Sequence, residues 1–190
     1  MNNFRYNIAA FDMVPASVKE VALKVSKHLK ERNVPHAVIG GMAVSAYSPP
    51  RMTKDVDFLV PSSALDAIRE LGDAKPLADS VDGMTVPVDD IDVDFIFMPP
   101  GMPKEALSDG PSVDGIPVLR PEALVLMKMN APRAKDHADV IEMIKAGVLD
   151  LDKVRAYIKK HEPDVLEDFE SNVMLAEYEK SPAAKKPRRK

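Results

Sequence analysis

The sequence of 190 residues contains no cysteine. Disulfide bonds and thiolate metal sites are therefore excluded, and the composition predicts a cytoplasmic protein. No apolar run approaches the roughly 18 residues that a transmembrane helix requires. The first residues, MNNFRYNIAAFDMVP, lack a basic start followed by an apolar core, so we expect neither a secretory signal nor a membrane partner.

Charge is unevenly distributed, because acidic residues outnumber basic ones in the body of the chain and basic residues alone carry charge at its end. The net charge is −4, yet residues 180–190 contain six basic side chains and no acidic one. Proline and alanine in this tail predict a disordered, solvated segment. The alternative is an arm that contacts phosphate backbones and releases their counterions.

The apolar pattern changes near residue 120, from mixed helices and strands to helices alone. The first half predicts helices at 17–33, 41–48 and 62–71, and strands at 36–40, 54–61, 83–88, 91–97 and 116–120. Helix caps are expected at Ser17, through a capping box with Glu20, and at Ser62 or Ser63. The second half predicts helices at 121–131, 134–147, 150–161 and 163–180. We expect an α+β protein with a core at 1–120, a helical region at 121–179 and the basic tail at 180–190.

Two predicted strands carry paired carboxylates. Asp55 and Asp57 alternate with apolar residues, so both lie on one face, about 6.5 to 7 Å apart. Asp92 and Asp94 repeat this pattern. If the strands are neighbours, their carboxylates repel one another unless a cation binds, and Mg²⁺ prefers such oxygen ligands. The alternative is an edge strand with its charges in solvent.

Paired glycines, Gly40 and Gly41, separate a predicted strand from a short helix. Without side chains, their backbone N–H groups can approach a phosphate at the helix N-terminus. The alternative is a tight strand-to-helix turn. The segment is neither a P-loop nor a G-x-G-x-x-G fingerprint.

In combination, these motifs resemble the nucleotidyltransferase superfamily that includes DNA polymerase β, and most closely its AbiEii-like and aminoglycoside-type branches. There, GG-x-A precedes R-x-T-x-D-[IV]-D. The matching residues are Gly40, Gly41, Ala43, Arg51, Thr53, Asp55, Val56 and Asp57. A later motif, P-E-x-L-x-x-x-K followed by an arginine and K-D-x-x-D, matches Pro121, Glu122, Leu124, Lys128, Arg133, Lys135, Asp136 and Asp139. The last segment has a structural alternative, in which Arg133 or Lys135 ties helices together.

The resemblance implies a mixed sheet flanked by helices, a C-terminal helical part and a set of functional residues. Asp55 and Asp57 would hold two Mg²⁺ ions, with Mn²⁺ as a substitute. Asp94, or Asp92 in reserve, would supply a third carboxylate as metal ligand or general base. The expected nucleotide-binding residues are Gly40, Gly41, Arg51, Lys54 and Lys128. For Lys128 the alternative is a solvated helix face, and for Arg51 a pair with a carboxylate.

The expected activity is transfer of a nucleoside monophosphate from an NTP to a hydroxyl group. The acceptor would be a small molecule, a protein side chain or an RNA end. The AbiEii-like resemblance implies a toxin with an antitoxin protein as partner. Two alternatives are a nucleotidyltransferase fold that binds nucleotide or a protein without catalysis, and a nucleic-acid binder that uses residues 180–190.

Overall fold

The computed structural model describes residues 14–49, 52–77, 81–131 and 133–181. These residues form two compact units. An α+β unit comprises 14–46 and the described part of 52–120, and a helical unit comprises 47–49 and the described part of 121–181. The protein is therefore of the α+β class, as predicted. None of the helices in the described ranges is long and apolar enough to cross a membrane.

The α+β unit is built on a five-stranded mixed sheet. Its strands are β1 (Ala37–Val38), β2 (Val56–Val60), β3 (Lys75–Pro76), β4 (Gly83–Val88) and β5 (Ile91–Phe97). Their order is β1-β2-β5-β4-β3, in which β2 and β5 are parallel and the other neighbours are antiparallel. A separate hairpin consists of β6 (Ser112–Val113) and β7 (Ile116–Pro117).

Alternation of apolar and polar residues gives β2 and β5 one buried face. Val56 and Phe58 of β2 are opposite Val93 and Phe95 of β5, and all four are fully buried. The rings of Phe58 and Phe95 stack with their centroids 6.0 Å apart. Because side chains alternate along a strand, Asp57 and Asp94 are directed to the other face.

The α+β unit also contains helices, the first of which packs against the sheet. They are α1 (Ala16–Glu31), α2 (Gly40–Tyr47) and α3 (Leu65–Arg69), with 3-10 turns at Ser62–Ala64 and Lys104–Leu107. The buried face of α1 contains Val18, Val21, Ala22, Val25, Ser26 and Leu29. The predicted capping box at Ser17 and the predicted cap at Ser62 or Ser63 are wrong. Helix α1 begins at Ala16 after Pro15, the turn at Ser62 follows Pro61, and neither has a side-chain cap hydrogen bond.

The helical unit contains the four predicted helices. They are α4 (Pro121–Met129), α5 (Ala134–Ala146), α6 (Leu151–His161) and α7 (Leu166–Lys180), with a 3-10 turn at Pro163–Val165. Gly147 ends α5 with φ of 73°, and its N–H donates to the Ile144 carbonyl over 3.1 Å. Asp150 caps α6 by accepting a hydrogen bond from Lys153 N over 3.2 Å.

Several strand boundaries differ from the prediction. The strand expected at 36–40 has only two residues, because α2 already begins at Gly40. The strand expected at 54–61 begins at Val56, so Asp55 precedes it. Both β3 and β6 were not predicted. In the expected tail, Lys180 is the last residue of α7, and residues 182–190 lie outside the described part.

Candidate active site

Three neighbouring strands bring two of the predicted carboxylates side by side. Asp57 of β2 is the register partner of Asp94 of β5, and Asp94 is also the partner of Thr85 of β4. Register partners in a sheet have adjacent side chains on the same face. Asp57, Asp94 and Thr85 therefore form a continuous row, which Lys75 of β3, the partner of Thr85, extends to the sheet edge.

Asp94 is the half-buried centre of this row. The hydroxyl of Thr85 donates a hydrogen bond to Oδ1 of Asp94. Burial raises the pKa of Asp94, and the negative charges of Asp55 and Asp92 raise it further. The charges of Asp55 and Asp92 therefore both act within electrostatic range of Asp94.

Gly40 lies directly against the carboxylate of Asp57. It begins α2 with φ of 59°, and a Cβ atom at this position would be 2.6 Å from Cγ of Asp57. The N–H of Ile39 donates to the Asp57 carbonyl over 2.9 Å, which ties the residue before α2 to β2. A glycine is required because it allows the first turn of a helix to approach a carboxylate this closely.

Gly41 packs on the segment that leads into β2. A Cβ atom on Gly41 would be 3.0 Å from Oγ1 of Thr53, whose hydroxyl donates to the Asp55 carbonyl over 3.1 Å. Thr53 is buried. The glycine pair and Thr53 thus fix the backbone on which Asp55 is carried.

The other predicted site residues of the α+β unit are on the surface or outside the description. Asp55 is exposed just before β2, and Lys54 beside it is also exposed. Asp92 is exposed, with Pro87 as its register partner. Arg51 lies outside the described residues. The structure therefore groups Gly40, Asp57 and Asp94, with Asp55 and Asp92 nearby.

The carboxylates of this site suit a hard divalent cation, but they are not arranged as a complete metal-binding site. Within the described ranges, no group of three or more His, Cys, Asp or Glu side chains could hold a metal ion. Asp57 and Asp94 supply carboxylate oxygens, which are the ligands that Mg²⁺ prefers. Asp55, the next carboxylate residue along the chain, is exposed just before β2.

Lys128 belongs to a buried ion cluster within the helical unit. Its Nζ is 2.9 Å from Oδ1 of Asp136 and 2.7 Å from Oδ2 of Asp139. Arg133 Nε is 2.7 Å from Oδ2 of Asp136. Lys128 is only 6% exposed, so the solvated-face alternative is wrong. Asp136 and Asp139 of α5 are tied to α4 through Lys128, whereas Lys135 is exposed.

Opposing contributions set the pKa of Asp136. Burial favours its neutral form, but hydrogen bonds from Arg133 and Lys128, together with their positive charges, outweigh burial and lower the pKa. The carboxylate is therefore held ionised between two cations. This is the behaviour of a charge-balanced structural cluster.

Thr85 is the site residue that the sequence analysis did not identify. The predicted strands 83–88 and 91–97 flank a turn at Asp89 and Asp90, and a two-residue turn pairs Val88 with Ile91. The residues three positions further from the turn, Thr85 on one strand and Asp94 on the other, are then also partners. The register of this hairpin was thus the signal that could have identified Thr85.

Both the sequence and the fold of the chain are similar to those of known proteins. Residues 16–186 match the profile of DUF6036, described as a nucleotidyltransferase of unknown function. The antibiotic-resistance factor ANT(2'')-Ia has a similar fold, with 19% identity, a TM-score of 0.52, and coverage of 84% of this chain and 96% of that one. A Helicobacter pylori protein described as a nucleotidyltransferase has 18% identity, a TM-score of 0.50, and coverage of 88% and 85%.

No protein with a curated description matches the sequence. The two structural similarities establish the fold, while the profile match extends over most of the chain. The nucleotidyltransferase resemblance predicted from the motifs is therefore confirmed. The chain belongs to the DUF6036 family of nucleotidyltransferases, and it is an enzyme of that class.

Proposed function

We propose that the protein transfers a nucleoside monophosphate from an NTP to a hydroxyl acceptor in a Mg²⁺-dependent reaction. The observation that carries this proposal is the pairing of Asp57 with Asp94 across two parallel strands, beside the first turn of α2. Oxygen ligands next to a helix N-terminus suit both a divalent cation and a phosphate.

Asp55 and Asp57 would hold the metal, which can also be Mn²⁺. When bound, the divalent ions neutralise the charge that develops on the transferred phosphoryl group. Asp94 would be a further ligand or would accept the proton of the acceptor hydroxyl. Its raised pKa suits the second role, because a base with a higher pKa takes up a proton more readily. Asp92 is less suited, since it is exposed and opposite Pro87.

The triphosphate would bind to backbone N–H groups at the start of α2, where Gly40 and Gly41 leave room for it. Lys54 is exposed two residues before β2, and its ammonium group would contact a phosphate oxygen. Arg51 remains a predicted phosphate or carboxylate contact. For Lys128, its two carboxylate partners support a structural role, and triphosphate binding stays a prediction.

The family match favours catalysis over a module that only binds a nucleotide or a partner. The acceptor class, a toxin role with an antitoxin partner and a cytoplasmic location stay predictions from the sequence and its resemblance.

A labelling experiment tests the proposal. The protein is incubated with each α-³²P-labelled NTP, Mg²⁺ or Mn²⁺, and extract fractions that contain RNA, proteins or small molecules. We expect label in one fraction, lost with Asp57→Asn or EDTA and restored by excess Mg²⁺. Asp66→Asn is the matched control, because Asp66 is an exposed carboxylate on α3. Absence of label with every NTP and fraction, or full labelling with Asp57→Asn, would refute the proposal.

A further inference from the structure

Thr85 has no role in the proposed chemistry, yet its hydroxyl is bonded to the central carboxylate of the site. We propose that Thr85 is the positioning residue of Asp94, and that its hydroxyl fixes the orientation of the carboxylate toward Asp57. This inference rests on the proposed function, because it assigns a role to a residue that acts through Asp94.

The backbone determines that Thr85 is opposite Asp94. The turn between β4 and β5 consists of Asp89 and Asp90, which have φ of 50° and 64°. Positive φ at both positions is typical of the type I′ turn, which joins strands in one defined register. A shift of one residue would move Asp94 to the buried face, where Val93 and Phe95 lie, so the register is strongly specified.

The side chain of Thr85 is suited to hold a carboxylate in one orientation. A threonine is branched at Cβ, and its χ1 angle is therefore restricted. Its hydroxyl has a single hydrogen to donate, which goes to Oδ1 of Asp94. The bond leaves Oδ2 of Asp94 for another partner, and it limits rotation of the carboxylate about its own side-chain bonds.

Asp94 needs a hydrogen bond to fix its orientation because the neighbouring carboxylates repel it. It is half-buried, its register partner on β2 is the carboxylate residue Asp57, and Asp92 lies two residues away on the same strand. The hydrogen bond from Thr85 holds Asp94 beside Asp57, where both can act on the same ion or substrate oxygen.

The test compares three variants of the full chain. Thr85→Val removes the hydroxyl and keeps the shape, while Thr85→Ser keeps the hydroxyl. Val86→Ala is the control for lost stability, because Val86 is the adjacent, fully buried residue of β4 and faces away from the row. The measurements are kcat and KM for the NTP, the melting temperature, and Mn²⁺ affinity by electron paramagnetic resonance without nucleotide.

We expect Thr85→Val to lower kcat and weaken Mn²⁺ binding by about 10- to 100-fold each, the usual effect of losing a hydrogen-bond partner of a metal ligand. The KM for the NTP should change little, and Thr85→Ser should restore both losses. Val86→Ala should lower the melting temperature but keep the Mn²⁺ affinity. Unchanged kcat and Mn²⁺ binding in Thr85→Val, or the same losses in Val86→Ala, would overturn the inference.

Asp94→Asn separates this inference from the proposed function. If Asp94→Asn abolishes transfer while Thr85→Val behaves as the unmodified protein, only the positioning role fails. If Asp94→Asn retains full transfer, the proposed role of Asp94 fails, and the role of Thr85 fails with it.

Discussion

A Cβ atom on Gly40 would overlap Oδ2 of Asp57 and lie only 2.6 Å from its Cγ, so any side chain at residue 40 must displace this carboxylate. We predict that Gly40→Ala lowers the transfer rate by about 100-fold or more, as expected when a reacting group is misplaced by an ångström. The measurement is kcat of the purified variant with Mg²⁺, alongside its melting temperature.

Gly101→Ala is the matched control for Gly40→Ala. Gly101 belongs to the same unit and has φ of 87°, but a Cβ atom there would meet nothing within 4 Å. Both variants carry the cost of an alanine in a left-handed conformation, about 1–2 kcal/mol. Only Gly40→Ala should lose activity, and equal activity in the two variants would contradict the prediction.

The two carboxylates of β5 should differ in their contribution to activity. We predict that Asp94→Asn lowers kcat by at least about 100-fold, the lower range for loss of a general base. Asp92→Asn should remain close to the unmodified enzyme, because Asp92 is exposed and its register partner is Pro87. A larger loss in Asp92→Asn than in Asp94→Asn would reverse their assignment.

Lys128 should contribute more to stability than an exposed lysine with similar ion pairs. Lys128→Met leaves Asp136 and Asp139 buried without their shared cation, which costs about 3–5 kcal/mol when a buried pair is broken. Lys145 is the control, since its Nζ is 2.7 Å from Glu142 and 2.9 Å from Glu179 at a more exposed site. Urea unfolding should show a much smaller loss for Lys145→Met.

Stability should decrease as the pH falls through the range in which free histidine titrates. His36 is buried, with Nε2 2.8 Å from Ser26 Oγ and Nδ1 2.8 Å from the Val34 carbonyl oxygen. Burial lowers the pKa of His36; the bond to Val34 opposes this shift, and the charge of Lys30 adds to it. The unfolded chain therefore binds a proton near its ordinary pKa of 6.5 while the folded chain does not.

The free energy of unfolding should accordingly reach its full value above pH 6.5 and be lost as the pH falls toward the lowered pKa of the folded state. The maximal slope from one such group is about 1.4 kcal/mol per pH unit. Urea unfolding from pH 7 to 5 measures it. His36→Gln should remove this part of the slope, and an unchanged slope in the variant would contradict the prediction.

Local patterns predicted the elements that local interactions specify. The strands 83–88 and 91–97 agree with β4 and β5 to the residue, because alternation and a two-residue turn define both ends. The four helices after Pro121 were also predicted. The prediction of a capping box was wrong because α1 begins one residue earlier than expected. Ser17 is therefore the second residue of the helix rather than its cap.

Local patterns did not predict which strands pair when they are distant in the sequence. Alternation assigns Asp57 and Asp94 each to a strand face, but it does not state that β2 and β5 are neighbours. That pairing depends on the connection formed by residues 61–90, which determines the position of β5 in the sheet. The edge strand β3 was missed for a related reason, because Lys75 and Pro76 are exposed and, among the described residues, pair with β4 alone.

The parallel pairing of β2 with β5 also determines when the site can form during synthesis. A nascent chain that ends before Ile91 already carries Gly40, Asp55 and Asp57, but β2 then lacks its neighbour on one side. An unpaired strand edge is a template for association with other chains. Synthesis of β5 both covers this edge and adds Asp94 beside Asp57.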